Sequence, residues 1–200
     1  MTNTTNNQSH LVELGLRYEC SEVGNMNRFV DHHIDSFRFV PERRSWLSWD
    51  GCRWAPAGRE TIFAAAIETT KGIYDEARDC KTVEGRKRLT SWALQSQTDK
   101  RTNAIVNMAA KCPSLVAHIE SFDRDPAVLN CKNGLVDLRT GQLKKQLPSD
   151  NLLKLVPINY QPRARCPTFD RFIREIFNGD GQLISWVQRA IGYTLTGYTT

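Results

Sequence analysis

The sequence predicts an α+β fold: an N-terminal β-hairpin, central helices, a three- to four-stranded antiparallel meander and a C-terminal helical pair. Three observations lead there. Asp50-Gly51 and Asn133-Gly134 each sit between short apolar runs, the pattern of tight hairpins. Between them, and again beyond residue 165, apolar residues recur at three-and-four spacing, the period of a helix that buries one face. With 200 residues, 40% hydrophobic and 24% charged, the chain has enough apolar surface to bury a core.

Residues 1–21 read as a flexible polar segment. Its first ten residues, rich in Thr and Asn, lack the basic start and apolar stretch of a signal peptide. Strands follow at 37–40 and 45–54. A two-residue loop at Asp50-Gly51 sets Trp49 against Cys52 and Leu47 against Trp54, all on one face, and leaves Trp46 on the other near Arg53. Over 60–77, Ile62, Phe63, Ala66, Ile67, Ile73, Tyr74 and Ala77 mark one long amphipathic helix. A second helix spans 86–97 with Leu89, Trp92 and Ala93 inward. A third starts behind Asp99 as N-cap and runs until Pro113 stops it.

The period then changes to that of a strand. Pairing outward from Asn133-Gly134 sets Cys131 against Val136 and Leu129 against Leu138. Thr140-Gly141 turns the chain again and pairs Leu138 with Leu143, so that all these apolar side chains share one face. Residues 152–160 read as a further strand. Helices return at 169–177, capped by Thr168 and ended by Asn178-Gly179, and after Asp180, with Leu183, Ile184, Val187 and Ile191 inward. The expected organisation is an α+β domain over 22–165 and a helical segment over 166–200.

Subtracting 22 acidic from 27 basic residues leaves a net charge of +5, and its distribution is uneven. Residues 81–111 hold seven basic residues and two acidic ones, whereas the first forty residues hold three basic and five acidic. Like charges gathered on short helices repel one another unless a polyanion or an acidic partner relieves them. Lys81, Arg86, Lys87, Arg88, Lys100 and Arg101 are therefore candidates for nucleic-acid binding. Trp46 joins them as a ring for stacking on a base, with Arg53 beside it; the competing expectation is a buried aromatic pair in a hairpin.

The absences narrow the chemistry. No Gly-Lys dipeptide occurs, so the phosphate-cradling loop of ATPases is missing from this sequence, as are the nucleophile elbow and the zinc-protease helix motif. The six cysteines lie no closer than 19 residues apart, which rules out a local zinc knuckle and fits reduced thiols in a cytoplasmic protein. No apolar run approaches the length of a membrane span. One carboxylate pair, Asp123 and Asp125, has the spacing to hold a divalent cation for nucleotidyl transfer, but Pro126 follows at once and makes a turn the simpler reading.

Several segments carry a resemblance. They are Gly24-Asn25-Met26-Asn27-Arg28-Phe29, the stretch from Trp46 to Trp54, Phe122-Asp123-Arg124-Asp125-Pro126, Leu129-Asn130, and the run from Asn133 to Leu143. Tyr160, Pro162, Ala164, Cys166-Pro167, Phe169 and Gly192-Tyr193-Thr194-Leu195-Thr196-Gly197 complete the pattern. In this order they resemble the region preceding the helicase in primase-helicases of phages, plasmids and poxviruses, with Gln146 where a histidine is expected. The resemblance implies a DNA replication module that helps hexameric helicase rings form or orient and guides DNA toward the motor. It also implies that the superfamily-three helicase domain follows the Gly-Tyr-x-Leu-Thr-Gly segment and is absent here, supplied in cis or in trans. ATP and magnesium are expected only for that domain, with no cofactor in this chain. Two alternatives stand beside this reading: a stand-alone nucleic-acid-binding or regulatory module, and a metal-dependent nucleotidyl transferase built on Asp123 and Asp125.

Overall fold

A computed structural model describes residues 11–198, and these fall into two compact units. The first comprises residues 11–48 and 55–119; the second comprises 49–54 and 120–198.

The first unit is mostly helical. Helix α1 (Glu22–His33) opens on Ser21, whose hydroxyl accepts from the Gly24 N–H at 3.0 Å. Apolar periodicity does not mark this helix, because Gly24, Asn25 and Arg28 share its buried face with Phe29 and Val30. Strands β1 (Phe37–Val40) and β2 (Ser45–Trp49) pair antiparallel, with Phe39 opposite Trp46, and β3 (Trp54–Ala57) lies next to β2 in the sheet. Helix α2 (Arg59–Asp79) packs against α1, α3 (Val83–Ser96) and α4 (Asp99–Ala109). The cap of α4 is Thr98 rather than Asp99: the threonine hydroxyl accepts from the Arg101 N–H, and Asp99 takes the first helical position, where its charge suits the helix dipole.

Two apolar clusters hold this unit. Phe29, Phe37, Trp46, Ile62, Ile105 and Leu115 form one around the first half of α2. Leu16, Ile73, Ala77, Leu89 and Ala93 form the other, between the second half of α2 and α3.

In the second unit the hairpin tip and the meander differ in register from expectation. The Asp50 N–H donates to the Arg53 carbonyl at 3.0 Å, so Gly51 and Cys52 form the loop and Trp54 stands across from Trp49, the two rings 5.6 Å apart. Asp50 starts the turn, its carboxylate accepting from the N–H groups of Cys52 and Arg53. In the meander, β4 (Val128–Cys131) pairs with β5 (Gly134–Asp137) so that Cys131 faces Gly134 and Leu129 faces Val136. The reason lies in β6 (Leu143–Lys144). A Cβ on Gly134 would meet the Leu143 side chain at 2.6 Å and the Lys144 carbonyl at 2.7 Å, so this glycine is needed for close approach within the sheet. Val136, rather than Leu138, faces Leu143. Both slips are of two residues, which preserves the common face of Leu129, Cys131, Val136 and Leu143.

The expected fourth strand is not one. Residues 152–158 run beside β4 with a single parallel bridge, Val156 to Cys131. Helices α5 (Pro167–Ile176) and α6 (Gly181–Thr194) form the closing pair. Cys166 precedes α5 with Pro167 at its first position, so Thr168 is not the cap. Asp180 caps α6 through the N–H groups of Gln182 and Leu183. Ile173 is buried, but Phe172, Ile176 and Trp186 stay more than half exposed, and Leu183 and Ile191, expected inward, are exposed too. No helix among the described residues is long and apolar enough to cross a membrane.

Candidate nucleic-acid interface

The basic residues fall on α3, on the turn before it and on the first turn of α4. Gly85, Leu89, Ala93 and Ser96 occupy the buried side of α3, so Arg86, Lys87, Thr90 and Ser91 face outward. Thr82 caps the helix by accepting from the Gly85 N–H, which fixes where this outward face begins. Among the described residues, Lys81, Arg86, Lys87 and Lys100 are exposed and carry no ion pair.

The other two cluster members have structural duties. Arg88 lies by Cys20, whose thiol is pushed up by burial and pulled back by the charges of Arg28 and Arg88. The Arg101 guanidinium sits 4.6 Å from the centre of the Trp92 ring and donates to the Gln95 carbonyl at 2.6 Å, fastening the start of α4 to α3. Trp92 in turn donates to Asn25 at 2.8 Å, and Asn25 donates to Ser96 at 2.9 Å. A buried polar network thus holds the helices that present the basic residues.

Trp46 and Arg53 do not form a pair of surface contacts. Trp46 is 7% exposed, belongs to the first unit's core and meets Phe39 edge-on at 5.2 Å. It is buried because β2 has cover on both sides: its neighbour Leu47 is buried as well. Arg53 is part of the second unit, half-buried, with Nε 3.5 Å from the Asp50 carboxylate and Nη1 donating to the Leu153 carbonyl at 3.2 Å.

Asp123 and Asp125 occupy a turn, and both carboxylates are engaged. Asp123 adopts a left-handed backbone (φ 48°) and accepts from the Leu153 N–H at 2.9 Å. Asp125 accepts both Arg139 guanidinium nitrogens, at 2.8 and 3.1 Å, and the Ala127 N–H. The Arg139 hydrogen bonds hold the Asp125 carboxyl below its usual range. Among the described residues, no three histidine, cysteine or acidic side chains cluster as metal ligands would.

A different polar centre organises the second unit. Asn130, nearly buried, donates to the carbonyls of Cys52 and Lys154 and accepts from Gln146, which also donates to the Cys131 carbonyl at 2.7 Å. Gln146 thus serves as a buried double donor that links the end of the meander to β4.

The helices and the two three-stranded antiparallel sheets make an α+β architecture. The chain belongs to the D5 N-terminal-like family, whose model matches residues 26–178. That region is found N-terminal to the primase/helicase domain in phage and viral proteins. No curated protein matches the chain.

Proposed function

We propose that this chain is the accessory region of a phage or viral primase-helicase and that it holds DNA for the neighbouring helicase domain. The grip is modest and independent of sequence, and it comes from Lys81 on the turn before α3, Arg86 and Lys87 on α3, and Lys100 at the start of α4. The observation that carries the reading is an outward-facing set of unpaired cations in a family whose place is beside a helicase. Such a face binds phosphates by displacing condensed counterions and reads no base edges. The helicase domain, assembled as a hexameric ring, supplies ATP chemistry with magnesium, and this region orients the DNA that enters it.

The test is a salt titration of DNA affinity. With four phosphate contacts, log affinity falls against log salt with a slope of roughly −3 to −4. Replacing Arg86, Lys87 and Arg88 by Ala weakens all DNA sequences alike and flattens the slope. A triple variant with the parent's affinity and slope would leave an acidic protein partner as the better account of the charge.

A further inference from the structure

A second group of cations in the first unit lies outside the 81–101 cluster and surrounds a groove. Arg44, Arg59 and Lys111 line a groove of about 610 Å³, together with Phe39, Trp46 and Asn107. These cations come from three places in the chain: Arg44 follows the short 3-10 turn Pro41–Arg43, Arg59 begins α2, and Lys111 follows α4. All three are exposed. Arg59 is held by Asn103, to whose side-chain oxygen it donates at 2.7 Å, while Arg44 and Lys111 take part in no ion pair among the described residues. Among the described residues, no carboxylate lines the groove.

Three cations without an acidic counterpart select an anion. The half-buried Phe39 ring, braced edge-on by Trp46, adds an aromatic surface beside them. Few ligands offer a planar ring and a phosphate a few ångströms apart. A nucleotide does, and in a duplex its base face is stacked away, so only an unpaired one presents both.

We infer that this groove binds an unpaired nucleotide, its base against Phe39 and its phosphate among Arg44, Arg59 and Lys111. The inference deepens the DNA-holding reading and rests on it, because it assigns to a separate place the recognition of single strands that the α3 face does not supply. Arg44 has a left-handed backbone (φ 47°). Asparagine tolerates that conformation, so Arg44→Asn removes the charge without forcing the turn.

The experiment measures anisotropy of a labelled twelve-nucleotide thymidine strand and of a twelve-base-pair duplex, with thymidine monophosphate as competitor. The Arg44→Asn/Lys111→Gln double variant is expected to bind the single strand about tenfold more weakly, with a salt slope shallower by about 0.7 for the one phosphate released, and to bind duplex within twofold of the parent. Phe39→Leu, which keeps an apolar side chain of similar bulk, is expected to weaken the single strand alone. Full competition by the monophosphate identifies a free nucleotide as a sufficient ligand, and no competition identifies the strand; either outcome supports the groove when the variants behave as stated. Unchanged single-strand affinity in both variants would overturn the inference while leaving the α3 face intact. A parent chain that bound neither DNA form at low salt would overturn both.

Discussion

Arg28 offers the sharpest test of how the first unit is held together. Its side chain is fully buried, yet it is charged, and its partners account for that. Nε and Nη2 donate to the two Glu76 carboxylate oxygens at 2.7 and 2.9 Å, and Nη1 donates to the Glu19 carbonyl at 2.9 Å. The guanidinium also lies 4.9 Å from the centre of the Tyr18 ring. Arg28→Ala leaves Glu76 without its partner and the Glu19 carbonyl without its donor. Breaking a buried pair costs about 3–5 kcal/mol. Glu76 is 23% exposed and rehydrates in part, so the lower end applies, about 3 kcal/mol. The lost carbonyl bond adds about 1 kcal/mol. The total of about 4 kcal/mol corresponds to a fall in melting temperature of roughly 8–16 °C for a chain of this size. Urea unfolding of the parent, Arg28→Met, Glu76→Leu and the double variant completes a cycle. The double variant should recover most of the loss, because apolar groups of similar volume replace a buried pair at little net cost. A single variant within about 1 kcal/mol of the parent, or a double variant equal to the sum of the singles, would refute this account.

Three further outcomes follow from the same structure. His33, packed between Phe29 and Phe37 with Thr69 at 3.3 Å, has its pKa lowered by burial first and by His32 second. The unfolded chain therefore takes up this proton more readily than the folded one. Its contribution is fully present above about pH 6.5 and is lost as pH falls from there through the lowered folded-state value, so the urea midpoint should drop between pH 7.5 and 5.5, and less so in His33→Gln; identical pH profiles would count against it. Asp123→Asn/Asp125→Asn should leave DNA affinity unchanged, since these carboxylates bind the chain itself, and a cation-dependent activity lost in that variant would restore the transferase alternative. Asn130→Ala strands the Cys52 and Lys154 carbonyls and should cost about 2–3 kcal/mol in urea unfolding, whereas a cost under about 0.5 kcal/mol would show that water replaces it.

Much of the architecture is a local matter and was readable in the chain. The three-and-four spacing over 60–77 marks α2 because a helix brings those positions onto one side whatever packs there. The shared face of Leu129, Cys131, Val136 and Leu143 follows from strand alternation and survives a slip of two residues. The excess of cations over 81–111 is a property of composition, and among the described residues five of them, Lys81, Arg86, Lys87, Lys100 and Lys111, are exposed and carry no ion pair. Tertiary contact decided what spacing does not encode. The meander register depended on how closely β6 approaches Gly134, and Trp46 became core because β2 is covered on both sides. The apolar faces of α5 and α6 have the right period, but period alone does not supply a neighbour to bury them. Arg28 reads as a surface residue until Glu76, 48 positions away, neutralises it; Arg44, Arg59 and Lys111 read as scattered charges until the fold gathers them around one groove. Periodicity acts within a few residues of the chain, whereas desolvation and charge pairing act across space, between residues whose separation in sequence carries no record of their meeting.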